Sequence, residues 1–254
     1  MMRCLFVVWV LVVVGCTNQG ETKATLAAFC DTAETWTARD SGESIDKVIR
    51  SCRQLLDADL NDDERAIVSL RLGIALQKSG RQEESIEPLQ RAVQLSPGNS
   101  KSHRLLGDGL SAKARALEIY AMDGQPTSSD ERRALRASAI RAYRKAIALG
   151  DRSRSVFDGL GWVLWRDGDM DGAVRAYTDA SNADPTDIDS AFMLGKILNL
   201  HGQYEDSVAV FERVQKADPE RFGSYGSHHA MLDASRRGER ASVWDEADAV
   251  DRQE

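Results

Sequence analysis

The chain has 254 residues, 42% of them hydrophobic and 29% charged, with a formal net charge of -7. That acidic balance argues against a nucleic-acid groove, which needs a local surplus of Lys and Arg to meet phosphate. Beyond the first fifteen residues no β-branched alternation occurs, and Gly and Pro fall where helical patterns end, so the sequence predicts an all-α chain that buries a modest core by stacking helices.

At the start of the chain Arg3 precedes an unbroken apolar run over residues 5–14. Such a run is too short to cross a bilayer, which takes about 20 residues, and a cleaved signal is the better reading. It ends in Val13-Val14-Gly15-Cys16, which resembles a bacterial lipobox. The resemblance implies that residues 1–15 are a lipoprotein signal peptide, that Cys16 becomes the first mature residue and carries the acyl chains, and that residues 16–25 form a polar tether. Thr17 follows the cysteine where inner-membrane retention would favour aspartate, so a lipid anchor in the outer membrane, facing the periplasm, is expected over the inner membrane. An ordinary secretory signal is the alternative. Loss of Arg3 with the signal takes the mature charge from -7 to -8.

Residues 26–60 read as a degenerate N-terminal helix pair, with residues 48–55 in its second helix. Cys30 and Cys52 lie eleven residues on either side of Ser41, in the turn-like stretch Asp40-Ser41-Gly42-Glu43. In an antiparallel hairpin such positions face each other, and an oxidising periplasm permits a disulfide between them. Closing a loop of this size contributes about 3 kcal/mol. Two buried free thiols are the alternative.

From residue 66 a pattern recurs. The unit 66–99 carries Ser69, Leu72-Gly73, Leu76, Ser85, Leu89, Ala92 and Pro97. The unit 100–153 opens with His103, Leu106-Gly107 and Leu110. The unit 154–187 carries Phe157, Leu160-Gly161, Leu164, Ala173, Tyr177, Ala180 and Pro185, and the unit 188–221 carries Ala191, Leu194-Gly195, Leu198, Ser207, Phe211, Val214 and Pro219. Gly73 to Gly107 and Gly161 to Gly195 are both steps of 34 residues, whereas Gly107 to Gly161 is 54. Each unit is expected to be two antiparallel helices. Small residues lie at their crossing, a left-handed Gly80, Gly168 or Gly202 stands at the turn, and a proline closes the second helix.

The longer step adds 20 residues to the second unit, and they retain helical character. Leu110, Leu117 and Tyr120 extend the first helix, Asp123-Gly124-Gln125-Pro126 breaks it, and Ser128 with Glu131 reads as a capping box for a second helix carrying Leu135, Ile140, Tyr143 and Ile147. Lengthening both helices by about ten residues would project the hairpin about 15 Å beyond its neighbours. Arg132, Arg133, Arg136, Arg141 and Arg144, with Lys145, give the return helix a basic face. That face is either a plainly solvated surface or a contact for an acidic partner or anionic lipid. Residues 222–254 are expected to be a C-terminal capping helix and polar tail, with Trp244 covering the exposed end.

The recurring Leu-Gly, small-residue, aromatic and proline positions resemble the tetratricopeptide repeat, whose pattern is W-x2-L-G-x2-Y, then A-x3-F, then P. This resemblance implies a right-handed superhelical solenoid of helix pairs, lined on its concave side by the second, fifth, ninth and twelfth positions of each unit. Carried over, these positions give Asp158, Trp162, Trp165, Phe192, Lys196 and Asn199 as a partner-binding groove, with Lys101, Arg104 and Asp108 as a charged rim. Whether the two tryptophans anchor a partner or pack against the next pair is open. The two-Lys, two-Asn carboxylate clamp of chaperone-binding members is not reproduced.

Nothing in the chain has the spacing of a catalytic or metal motif: His103, His201, His228 and His229 are scattered, and no H-E-x-x-H, zinc spacing or phosphate loop occurs. No cofactor and no metal are expected. The reading is a lipid-anchored interaction scaffold that takes a protein or peptide in its groove, serving an envelope assembly, secretion or pilus-type system. An adaptor for peptidoglycan enzymes is the alternative, and self-association through the hairpin is compatible with either.

Overall fold

The computed structural model describes residues 22–37, 44–185, 187–224 and 226–241. The expected signal segment, Cys16, the expected turn at residues 40–43, Trp244 and the expected tail lie outside them. Twelve α-helices occur in order among the described residues: α1 (Lys23–Asp31), α2 (Ile45–Leu56), α3 (Asp62–Lys78), α4 (Ile86–Leu95), α5 (Ser100–Met122), α6 (Ser129–Ala148), α7 (Arg154–Arg166), α8 (Met170–Ala183), α9 (Ile188–Leu200), α10 (Tyr204–Ala217), α11 (Pro219–Ser224) and α12 (Gly226–Arg236). A 3-10 turn, Glu83–Ser85, leads into α4. Each helix packs on the next, pairing α3 with α4, α5 with α6, α7 with α8 and α9 with α10, which makes an all-α solenoid.

The element ends arise from local chemistry. The Asn61 side chain accepts from the Glu64 amide at 2.9 Å while the Glu64 carboxylate accepts from the Asn61 amide at 3.0 Å, a reciprocal cap for α3. Asp187 caps α9 through the Ser190 amide at 2.9 Å. Ser128 caps α6 through the Glu131 amide at 3.3 Å. The reciprocal half expected from Glu131 is not made: its carboxylate lies 3.7 Å from Lys113 on α5 instead. Gly80, Gly168 and Gly202 take φ of 81°, 88° and 83° at the turns within pairs, a backbone region from which a Cβ is nearly excluded. Further upstream, α1 starts at Lys23, so the last residues of the expected tether are helical.

The Leu-Gly glycines receive large residues, not small ones. A Cβ on Gly73 would meet Leu89 at 2.5 Å, on Gly107 Tyr143 at 2.7 Å, on Gly161 Tyr177 at 2.9 Å and on Gly195 Phe211 at 2.8 Å. The ring or isobutyl group of the second helix therefore lies flat on the bare backbone of the first, and the pairs approach closely without losing apolar contact. The small residues sit beside that contact, as where the buried Ser207 hydroxyl donates to the Gly195 carbonyl at 2.8 Å. Tyr143, Tyr177, Phe211 and Leu89 are all essentially inaccessible, each contributing about 1.5–3 kcal/mol of burial.

Cys30 on α1 and Cys52 on α2 form a disulfide with their Cα atoms 5.0 Å apart. Chain-entropy arguments give the bridge about 3 kcal/mol for a loop of this length. Because a solenoid unit touches only its neighbours, reduction should loosen α1 and α2 and spare the array from α5 onward. Hydrogen exchange with and without reductant would check this: protection lost evenly along the chain, or unchanged at residues 23–56, would contradict it.

Helix α5 has 23 residues against 13 in α7, and α6 has 20 against 14 in α8, so the added length is uneven. Nor does the extension simply project. Its end turns the face bearing Ile119 and Met122 toward α7 and α9.

Candidate functional site

Three first helices build a groove. On α5, Arg115, Glu118, Ile119 and Met122 stand at helical spacing on one face; on α7, Asp158, Trp162 and Trp165 do the same; Met193 and Lys196 come from α9. Together with Arg166 and Tyr177 they enclose about 470 Å³. A second, more polar hollow of about 500 Å³ shares Arg115, Ile119 and Asp158 with the first, and runs on past Asp108, Tyr143 and Arg154 to Gln77 and Gln82 on the α3 side. The two are successive stretches of one surface.

Cations stack on the indoles. The Arg115 guanidinium lies 4.4 Å from the Trp162 ring, Lys196 Nζ lies 4.1 Å from the Trp165 ring, and Arg166 lies 5.4 Å from that same ring. Such contacts contribute about 0.5–2 kcal/mol each. They hold the indoles beside positive charge along the cavity wall. Below the floor, Glu118 accepts from Arg136 Nη1 at 2.9 Å and from Arg166 Nε at 3.0 Å, and Arg136 also lies 3.6 Å from Asp167. One carboxylate thus ties α5, α6 and α7 together.

Burial raises the Asp158 carboxyl above its ordinary range, and Arg154 opposes the shift. Asp108 is raised to about 6 by burial, against the pull of Arg104 and of the Tyr143 hydroxyl that donates to it at 2.9 Å. The expected rim is otherwise self-paired, Lys101 with Glu34 at 2.8 Å and Arg104 with Asp108 at 3.2 Å.

Of the six expected groove residues, Asp158, Trp162, Trp165 and Lys196 line the same cavity. Phe192 does not: it stacks on His228 of α12, ring centroids 3.8 Å apart, and lines a separate 260 Å³ hollow with Ile188, Val214 and Phe222. Asn199 is a correction. It is 1% exposed, its amide donating to the Ser235 hydroxyl and the Glu239 carbonyl at 2.9 Å each and its oxygen accepting from the Ala241 amide at 2.9 Å, so the segment after α12 covers it.

The basic face of α6 needs the same correction. Arg133, Arg141 and Arg144 are exposed, but Arg132 is 1% and Arg136 6% exposed. Both lie on the stripe that carries Ala139, Ile140, Tyr143 and Ala146 into the core. Arg132 donates to the Thr127 hydroxyl, and Arg136 to Glu118. Sequence reasoning missed Arg115, Ile119 and Met122 because the family's groove positions stop at the length of an ordinary helix, and Met193, inside the ordinary-length α9, because it falls between those positions. The signal was present in α5, where the stripe through Arg104, Asp108 and Ser111 continues at the same spacing to Arg115, Glu118 and Met122.

The tetratricopeptide-repeat family model matches residues 132–188 and 159–222. Among solved structures, a crystal structure of MamA is 23% identical and superposes with a TM-score of 0.54, covering 71% of this chain and 92% of its own. A second MamA structure is also 23% identical, with a TM-score of 0.57 over 81% of this chain and 97% of that one. YrrB, described as a TPR protein with an unusual peptide-binding site, is 17% identical with a TM-score of 0.54, covering 82% of this chain and 92% of that one. No curated protein matches the chain in sequence. At these identities the structural likeness speaks for the fold.

Proposed function

The chain is a tetratricopeptide-repeat protein, and from that premise we propose that it is a lipid-anchored envelope scaffold whose groove between α5, α7 and α9 captures a protein segment. The observation that carries the reading is the apolar surface of Ile119, Met122, Trp162, Trp165 and Met193, with Arg115, Arg166 and Lys196 and the carboxylates of Glu118 and Asp158 among its lining. The two indoles supply anchoring area. Arg115, the exposed cation of the three, favours a segment that carries a carboxylate beside its apolar side chains. The peptide-binding description of YrrB supports the same use of this fold.

The anchor and compartment belong to the same proposal. The residues before Cys16 support acylation there, and the Cys30–Cys52 bridge suits an oxidising periplasm. The system served is of the assembly, secretion or pilus type, with the outer membrane as the site of attachment. Palmitate labelling tests the anchor: Cys16→Ser should abolish incorporation and membrane retention, and normal labelling of that variant would refute acylation at this cysteine.

Crosslinked pull-down from the native envelope tests the groove. Trp162→Ala with Trp165→Ala should weaken capture at least tenfold while helical content is kept. The Arg115→Glu variant, which threatens no core contact, should weaken it in the same direction. Undiminished capture by both variants would remove the groove from the function.

A further inference from the structure

The polar groups in the wall of the groove are mostly spent. Glu118 gives one oxygen to Arg136 and the other to Arg166, at 2.9 and 3.0 Å, and Glu118 and Arg166 keep no more than 8% of the side chain exposed. Lys196 is 4% exposed and lies over the Trp165 ring, and Tyr177 is 1% exposed. What reaches the open side is Arg115, the half-buried Asp158, and the apolar group of Ile119, Met122, Trp162, Trp165 and Met193. Asp158 accepts from the Ser190 hydroxyl at 3.4 Å and feels the charge of Arg115. Among the described residues no Asn, Gln, Ser or Thr lines this cavity. The adjoining hollow is of another kind: Gln77, Gln82, Ser111 and Ser155 line it, and the buried side-chain oxygen of Gln82 has no hydrogen-bond partner.

That division decides which backbone the cavity can take. An extended segment carries a donor and an acceptor on nearly every residue, and each one pressed on an apolar wall loses its water without a replacement. Arg115 and Asp158 can serve few of them. An α-helix bonds its main chain internally and presents side chains alone, so it can lie on such a wall with no polar group orphaned. The dimensions agree. Neighbouring helices stand about 8–10 Å apart, which separates α5 from α9 across α7 by at most about 16–20 Å, and a helix with its side chains is about 10–12 Å thick. The wall is also spaced to mesh with one: Ile119 and Met122 on α5, and Trp162 and Trp165 on α7, each stand three residues apart, a ridge spacing that receives the i, i+3, i+4 and i+7 side chains of a docked helix.

We propose that the cavity between α5, α7 and α9 takes its partner segment as an amphipathic α-helix, whose apolar stripe rests on Ile119, Met122, Trp162, Trp165 and Met193 and which carries a carboxylate beside that stripe to meet Arg115. The proposal rests on the scaffold reading above and narrows it to one kind of partner. It also fixes an orientation. Arg115 reaches the Trp162 ring from α5, so the carboxylate belongs on the edge of the stripe that meets α5, and not on the edge that meets α9, where Lys196 is buried.

Selection from a display library tests the helix with defined probes. Random peptides of about 16 residues, enough for roughly four helical turns, are panned on the full chain, on Trp162→Ala with Trp165→Ala, and on Arg115→Glu, after circular dichroism has compared their helical content. Ile119→Glu, at a half-exposed position, keeps the test valid should the paired tryptophans prove necessary for folding. Peptides held by the unaltered chain and depleted at least tenfold on the groove variants should show apolar residues at a period of 3.6 and no interior proline. Their enrichment in Asp and Glu should vanish on Arg115→Glu. The tightest of them, carrying fluorescein, should lose at least tenfold in affinity when a central residue opposite its stripe is replaced by proline, which breaks the helix and leaves the stripe intact. Groove-dependent peptides that lack the 3.6 period, or that tolerate the proline, would overturn the helix and leave the scaffold reading standing. Peptides held equally by all the chains would overturn the helix and the groove together, and a selection that enriches nothing would overturn the proposal.

Discussion

Replacing Glu118 with alanine is expected to cost about 3–5 kcal/mol, the range for removing one partner from a buried ion pair. Glu118, Arg136 and Arg166 each expose no more than 8% of the side chain, and the carboxylate spends one oxygen on each arginine. Its loss leaves two guanidinium groups buried near each other without the carboxylate that both share, and Asp167, 3.6 Å from Arg136, offsets only part of that charge. At about 2–4 °C per kcal/mol for a chain of this size, the melting temperature should fall by roughly 6–20 °C. Glu118→Gln, which retains an acceptor but not the charge, should fall between. The triple variant Glu118→Met, Arg136→Met, Arg166→Met should recover most of the loss, because an apolar replacement removes the desolvation cost along with the attraction. A drop below about 1 kcal/mol for alanine would mean that water reaches the cluster and screens it.

The solenoid was legible because its determinants are local and repeated. A glycine that must admit a ring, a turn glycine at positive φ and a proline past the helix end each recur at the repeat period, and agreement among weak signals identified the pairs. The longer second unit was legible for the same reason: the 16 residues from Gly161 to Tyr177 become 36 between Gly107 and Tyr143, yet the same ring-on-glycine contact is made. Local pattern could not supply where the added length goes. That depends on the cross-section of the neighbouring pairs, and it put Ile119 and Met122, each about half exposed, along the groove.

Charge was the weakest guide. A run of arginines on α6 reads as one basic face when residues are counted, but helical geometry divides it: positions 132 and 136 share the core stripe with Ala139 and Tyr143, while 133, 141 and 144 point out. The stripe was readable; the partners that make burial tolerable were not, since Glu118 lies 18 residues before Arg136 and Arg166 lies 30 after it. Asn199 shows the same limit. Its family position faces the groove, but its occupant here is backbone some 40 residues later, from a stretch with no repeat pattern. The tryptophans needed only i, i+3 spacing to be placed together, whereas two of the cations stacked on them, Arg115 and Lys196, come from other helices.

Tyr143→Ala should be as damaging as the loss of Glu118, by a different route. The ring is 1% exposed and lies between two glycines of different units: a Cβ on Gly107 of α5 would meet it at 2.7 Å, and one on Gly159 of α7 at 2.5 Å. No backbone shift closes such a gap on both sides at once, so the cost should be about 3–5 kcal/mol, as for aromatic truncations in packed cores. Tyr143→Phe separates packing from polarity. It keeps the ring and removes the hydroxyl that donates to Asp108 at 2.9 Å, a change of about 1.5–3 kcal/mol when the acceptor is ionised. Here pH decides the size. Asp108 titrates at about 6 in the folded protein against an ordinary 3.8, so its contribution to stability is fullest below the unfolded value and is lost as pH rises through about 6. The Tyr143 hydroxyl favours the ionised form, and its removal raises Asp108 further. The deficit of Tyr143→Phe relative to the unaltered protein should therefore be small at pH 5 and grow toward pH 8, measured by urea unfolding at each pH. A deficit that is flat across that interval would show that the hydroxyl acts through shape alone.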